Sequence, residues 1–330
     1  MPRKKSTKRR RPTRKIDKSK LAEYDYHLPV MLEETIEFLD IKAKGIYVDG
    51  TLGGGGHTHE ILQRLVAGGQ VHAFDKDKAA IDHCHLRFSD ELAKGDHSRL
   101  IIHHMSYEKA CSIEEVRGKV QGILLDLGVS SRQLDDLGRG FSHRGNADLD
   151  MRFSGQGRSA EDIVHAASED ELVRIFYSYG EDPFAKAIAR RICEKRRAIP
   201  LKTTFDLRTV IEESVPQGQI IKSMSRIFQA LRIAVNDELS VLEETLQQSP
   251  ELLAPGGRLV ILSYHSLEDR IVKNVFKELS GKSLSNDSKN LSSGVPKLKI
   301  LTNKPILPSY EETLGNPRAR SAKLRVAERV

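Results

Sequence analysis

Four consecutive glycines, Gly53 to Gly56, followed by His57, are the most chemically suggestive stretch of this 330-residue chain. A turn without side chains lets a ligand approach the backbone closely. Roughly twenty residues further on, Asp75 ends the apolar run Val71 to Phe74, where an acid can hydrogen-bond ribose hydroxyls. Asp126 ends another apolar run, Ile123 to Leu125. A carboxylate there suits a proton acceptor at the carboxyl edge of a sheet, and equally a cap for a turn. Tyr107, just past a strand, fits a cover over an adenine ring as well as a place in the core.

These groups need elements to hold them. Ile46 to Val48 is a short buried strand stopped at Asp49-Gly50, and Ile61, Leu62 and Leu65 have helical spacing closed by Gly68-Gly69. Strand, glycine turn, helix, strand and acid form the first unit of a Rossmann-like sheet. The dinucleotide fingerprint requires a third glycine at position 58, which is Thr58, so a nicotinamide-dependent oxidoreductase is disfavoured. The frame Asp49-x-x-x-Gly53-x-Gly55 fits the first motif of S-adenosylmethionine-dependent methyltransferases better, with Thr51 where many have glycine. Enzymes of that class that methylate amines place a polar acceptor and a tight turn where this chain has Asp126.

Around this unit, spacing predicts a helix at 30–39, another at 77–88 and a strand at 99–104. From about 135 to 235 the strand pattern stops. Ser159-x-x-Asp162 and Ser168-x-x-Glu171 read as capping boxes, and Asp182-Pro183 as a helix start. The helix predicted at 183–198 carries six cations (Lys186, Arg190, Arg191, Lys195, Arg196 and Arg197) with only Glu194 opposing them, a face suited to phosphates. A glycine- and arginine-rich loop at 135–158 is long enough to imply function. One long helix at 222–247, a turn at Pro255-Gly256-Gly257 and a strand at 258–264 return the chain to the sheet. Ser266-x-x-Asp269 reads as a further capping box behind His265. A linker at 280–297 and a basic strand within 316–326 complete the chain.

Charge is unevenly distributed. Residues 1–20 hold eleven Lys/Arg against Asp17, a charge of +10 in a chain of +7, which leaves the other 310 residues at −3. Such an arm suits phosphate contact. No apolar stretch approaches the ~18 residues of a membrane span. Cys84, Cys111 and Cys193 lie far apart, without disulfide or zinc spacing, so no metal and a cytoplasmic location are expected.

Several stretches taken in order resemble the bacterial methyltransferases that modify the exocyclic N4 amine of a cytidine in small-subunit ribosomal RNA. They are His27 to Val30, Asp49 to Thr51 with Gly53 to His57, Gly122 to Ser131 with Gln133 to Asp135, and Arg139 to Ser142. Leu149 to Arg152, Phe228 to Ile233 with Asn236 to Leu239, His265 to Arg270 and Asn316 to Arg325 continue the series. The resemblance implies a class I methyltransferase sheet, 26–134 and 236–330, with an inserted all-helical domain at 135–235 for RNA recognition, behind a basic tail at 1–25. It implies S-adenosylmethionine as cofactor, met by Gly55, Gly56, His57, Asp75, Tyr107, Asp126 and Gln133, with Asp126 catalytic. The implied partner is small-subunit ribosomal RNA or the assembling subunit. A non-catalytic RNA-binding assembly factor with the same fold is the alternative. The chain departs from the family pattern at Lys222 to Arg226, at His143 to Asn146, and at Tyr264, which stands where phenylalanine is usual.

Overall fold

The computed structural model describes residues 29–282 and 295–330. The basic arm at 1–25 and most of the expected linker at 280–297 lie outside the described residues. Seven strands form one sheet: β1 (Ile46–Asp49), β2 (Gln70–Asp75), β3 (Leu100–His104), β4 (Val120–Asp126), β5 (Leu253–Ser263), β6 (Leu298–Ile300) and β7 (Lys323–Arg329). Their order is β3-β2-β1-β4-β5-β7-β6. β1 to β5 pair in parallel, while β7 runs antiparallel to both β5 and β6.

The central strands are apolar because both faces are covered. Side chains alternate across the sheet, so Tyr47, Leu124, Val260 and Leu262 join one core while Val48, Ile123, Leu125, Leu259 and Ile261 join the other. The chain winds from β1 outward to β3, then returns to place β4 on the other side of β1. This reversal opens a crevice at the carboxyl ends of β1 and β4, where the glycine turn and Asp126 lie. Pro255 to Gly257 is a bulge inside β5 rather than a turn before it: Val120 pairs with Leu253, and Gly122 already with Arg258. Gly256 takes φ 75° there.

Residues between β4 and β5 build a third core, with Phe141, Leu149, Phe176, Ile192, Leu207 and Leu231 among its members. Ser159 and Thr203 start helices with full capping boxes to Asp162 and Asp206, each contributing about 1 kcal/mol. The single helix expected at 222–247 is two helices, Ile220–Asn236 and Glu238–Leu252. Between them Asp237 adopts φ 50°. Tertiary bonds impose the break. Asn236 Nδ2 donates to the Met151 carbonyl (2.7 Å) and its Oδ1 accepts from the Phe153 amide (2.9 Å). Arg232 Nε spans the break to Glu238 Oε1 at 2.8 Å.

The six-cation stretch, four of whose members lie on the helix Ala185–Lys195 and two just beyond it, is less basic in the fold than in sequence. Glu213 from the following helix pairs with Arg191 (2.9 Å) and Lys195 (2.5 Å), and Arg196 donates to the Val164 carbonyl at 2.6 Å. The helix also starts later than Pro183, at Ala185, with Asp182 Oδ1 accepting from the Phe184 amide at 2.8 Å.

Candidate active site

The glycine turn is pinned from both ends by Asp49. Its Oδ2 accepts from Thr58 Oγ1 at 2.6 Å and its Oδ1 from the Thr51 amide at 3.1 Å. Burial pushes the Asp49 carboxyl above its ordinary range, against those two hydrogen bonds. Asp49 is thus an internal brace. Gly53 (φ 50°) has no neighbour closer than 3.9 Å to a hypothetical Cβ, so its bare backbone faces open space. Gly56 would bring a Cβ within 2.3 Å of the Pro29 ring.

Six of the seven residues expected to meet the cofactor line one cavity of about 400 Å³: Gly56, His57, Asp75, Tyr107, Asp126 and Gln133. Gly53 and Gly54 share that wall. Gly55 does not. At φ 75° a Cβ there would meet the Phe88 ring at 2.6 Å and Cys84 Sγ at 3.1 Å, so Gly55 faces the packed core behind the turn. Its glycine is required by backbone conformation and packing.

Asp75 is committed on both oxygens to backbone amides, Gly53 at 2.8 Å and Asp77 at 2.8 Å, each oxygen retaining a further lone pair for a ligand. Burial outweighs these bonds and lifts its carboxyl to about 6. Two residues on, buried Asp77 caps the next helix through the Ala79 amide (3.0 Å) and accepts from Gln133 Nε2 at 2.8 Å and from Arg139 Nη1. Gln133 Oε1 in turn accepts from the Ser130 amide at 2.9 Å, completing a capping box. The Gln133 amide is therefore a strut between the loop after β4 and the start of the helix after β2.

The Asp126 carboxyl is raised further than that of Asp75. Its amide donates to Thr51 Oγ1 at 2.7 Å, and its Oδ1 accepts from the Tyr264 hydroxyl at 2.6 Å. Burial lifts its carboxyl to about 7, the Tyr264 bond opposing the shift and the charges of Asp49 and Glu268 adding to it. Burial and the facing Asp126 charge hold the Tyr264 hydroxyl well above its ordinary value, so it stays a donor. His57 Nδ1 lies 3.7 Å from Asp126 Oδ2, and its Nε2 lies 3.3 Å from the Val30 carbonyl. A carbonyl only accepts, so the proton of this bond sits on Nε2 and Nδ1 turns a lone pair toward Asp126. Burial lowers the His57 pKa to about 4, which keeps the ring neutral.

His265, not Ser266, caps the helix after β5, with Glu268 as its partner. Glu268 Oε2 accepts from the Tyr264 amide at 2.8 Å. Asp269, expected to complete a box with Ser266, pairs instead with Arg325 at 2.6 Å. Sequence reasoning also passed over Thr51, Asp77, Arg232 and Phe153 as site residues. For Asp77 a signal existed: a second acid two residues beyond the ribose acid, directly before a helix.

A mixed sheet in this order, with a glycine turn after β1, an acid ending β2 and a carboxylate ending β4, defines a class I S-adenosylmethionine-dependent methyltransferase. The profile of the MraW methylase family matches residues 25–330. The chain belongs to that family, and is accordingly an S-adenosylmethionine-dependent methyltransferase of ribosomal RNA. A solved structure from Clostridium thermocellum, described as a candidate rRNA methylase, is 12% identical over 92% of this chain and 100% of its own, with a TM-score of 0.45. An S-adenosylmethionine-dependent O-methyltransferase from Thermotoga maritima is 10% identical over 94% and 70%, TM-score 0.40. A candidate methyltransferase from Streptococcus mutans in complex with SAH is 12% identical over 92% and 100%, TM-score 0.37. Among the described residues no helix is long and apolar enough to cross a membrane, and no cluster of His, Cys, Asp and Glu could hold a metal ion.

Proposed function

We propose that this methyltransferase acts on the exocyclic N4 amine of a cytidine in small-subunit ribosomal RNA, with Asp126 as the proton acceptor. The observation that carries this reading is the Asp126 carboxylate itself. It lines the same cavity as the glycine turn and Asp75, it is oriented by Tyr264, and it is lifted to about 7, where a base works well near neutral pH. The lone pair of a cytosine amine is delocalised into its ring, so the nitrogen gains nucleophilicity as an acceptor draws off a proton. The cofactor's sulfonium supplies an electrophilic methyl group.

The donor set suits that cofactor. Backbone at Gly53, Gly54 and Gly56 allows close approach, Asp75 retains lone pairs for ribose hydroxyls, and Tyr107, on the cavity wall, would lie near the adenine. His57, Gln133 and Asp126 border the methionine end. Gly55 belongs to the same turn as a packing residue. In the same proposal, 26–134 with 236–330 is the catalytic domain, 135–235 the RNA-recognition domain, and the substrate is met in the cytoplasm.

The deciding experiment is nucleoside mass spectrometry on small subunits from cells lacking this protein, after incubation with it and isotopically labelled S-adenosylmethionine. Label in N4-methylcytidine is expected. Label in a different nucleoside would overturn the substrate, and cofactor binding without any label would favour an assembly factor.

Two further results are expected. In Tyr264→Phe, Asp126 loses a hydrogen-bond donor that stabilises its charged form, while Asp49, Glu268 and neutral His57 remain around it. The acid limb of the rate profile should move to higher pH by roughly half to one unit, the worth of one ~1 kcal/mol bond, with little change at pH 9. An unshifted profile would separate Tyr264 from the base. Gln133→Leu removes the strut to Asp77. Cofactor affinity in a calorimetric titration should fall about tenfold, as for one hydrogen bond to a charged group. The melting temperature should drop by only a few degrees; a large drop with unchanged affinity would make Gln133 a stability residue alone.

A further inference from the structure

The cavity has a wall that the cofactor assignment does not use. Phe153, Gln229, Arg232, Asn236, His265 and Glu268 all line it, the first from the glycine- and arginine-rich loop and the next three from the helix Ile220–Asn236. Arg232 is the unusual member. Its side chain is only 13% exposed. Nε is taken by Glu238, yet Nη2 is buried without a hydrogen-bond partner among the described residues. Buried guanidinium donors are rarely left so, because an unmade bond forfeits the group's hydration without replacing it.

Charge indicates what kind of acceptor would complete it. Two carboxylates, Glu238 and Glu268, already act on Arg232, and Glu268 is held in its charged form by His265 and Arg232 although burial opposes it. Arg232 faces two carboxylates, one of which His265 also contacts at 3.1 Å, so the cluster holds no surplus positive charge for an anion. A phosphate, or the carboxylate of the cofactor, is therefore a poor match, and a neutral ring acceptor a good one. Glu268 also links this wall to the reaction centre, since its charge acts on Asp126 and Tyr107 as well as on Arg232. Phe153 offers a half-buried ring, stacked on Phe141 at 5.4 Å and fixed through its amide by Asn236. Bases removed from their own stack are held by such aromatic faces.

We propose that Arg232 reads the target base, its Nη2 donating to cytosine N3 while Phe153 stacks on the ring and Asp126 accepts from the adjacent N4 amine. This rests on cytidine N4 being the substrate. The pattern of one donor at N3 and one acceptor at N4 matches cytosine and mismatches uracil, whose N3 carries a proton and whose C4 carries an oxygen. Arg232 thus sets base identity, and Asp126 the chemistry.

The test replaces the target cytidine with 3-deazacytidine, in which N3 is a C–H, in small-subunit RNA made by ligation and assembled into particles. Wild-type enzyme should lose 10- to 100-fold in kcat/KM on the analogue, the range for one buried contact between a charged group and a base. Arg232→Met should be slower on cytidine by a similar factor and change less than about twofold between the two RNAs. Its cofactor affinity should stay within about twofold of wild type. Equal wild-type rates on both RNAs overturn the proposal, and that comparison needs no variant to fold. An Arg232→Met enzyme that keeps the preference for N3, or that loses cofactor binding, overturns it too. If wild-type enzyme places no methyl group on N4 of the unmodified RNA, the substrate reading itself fails, a result distinct from any failure of Arg232 alone.

Discussion

Asp126→Asn should abolish most turnover and make the protein more stable. The amide cannot accept the amine proton, so kcat is expected to fall by roughly 10²–10⁴, the usual worth of a positioned base. Cofactor affinity measured by titration should change far less. The stability effect follows from linkage. The carboxyl is raised from its ordinary value of 3.8 to about 7 in the folded protein, so the folded state binds its proton more tightly than the unfolded chain. Its contribution to stability is intact below pH 4 and is lost as pH rises through 7. Asparagine is neutral throughout and escapes that loss. Melting curves of wild type and variant should converge near pH 4 and separate above pH 7, with the variant higher. A variant that melts lower at pH 8 would show that Asp126 is ionised without penalty, and the proposed base would lose its main support. In the wild type, kcat/KM should rise with pH through about 7, on the same titration.

Gly55→Ala should be the most damaging single-methyl substitution in the turn. Two penalties coincide. The backbone sits at φ 75°, which costs an L-residue about 1–2 kcal/mol. The new Cβ would stand 2.6 Å from Phe88 and 3.1 Å from Cys84 Sγ, an overpacking worth about 1–3 kcal/mol. Destabilisation of about 2–5 kcal/mol in urea denaturation is expected. Cofactor affinity should fall as well, because the same turn carries Gly53, Gly54 and Gly56 on the cavity side. Adding Phe88→Leu should recover part of both losses by opening space behind the turn. If that second substitution recovers nothing, Gly55 meets the ligand itself and the packing role assigned to it is wrong.

The sheet and the positions of Asp75, Tyr107 and Asp126 were legible because each depends on local patterning, an apolar run ending in a polar residue at a strand's carboxyl edge. The direction in which Gly55 points was not. Spacing identifies a glycine turn, but only the position of Phe88 shows which glycine faces the core. The break at Asp237 was hidden for a related reason. Val235, Leu239 and Leu242 keep helical spacing straight through it, and the bonds from Asn236 that interrupt the helix reach back more than eighty residues, to Met151 and Phe153. Tyr264 showed as a departure from the family pattern, yet the partner of its hydroxyl lies 138 residues away. Arg232 was visible only as part of a resembling stretch. Its significance comes from a donor left over after Glu238 has taken another, a surplus that no linear pattern records.

One carboxylate joins the two halves of the cavity. Asp77 caps the helix that follows the ribose acid and accepts from both Gln133 and Arg139. Arg139 Nη2 also donates to the carbonyls of Arg152 and Phe153, each at 3.0 Å. The backbone beside Asp75 and the loop bearing the stacking ring are therefore tied to one buried anchor. A ligand that stiffens either side lowers the ordering entropy left for the other, so cofactor and RNA should bind with positive cooperativity. Thermodynamic reciprocity then fixes the size of the effect in both directions: whatever factor the cofactor adds to RNA affinity, RNA adds to cofactor affinity.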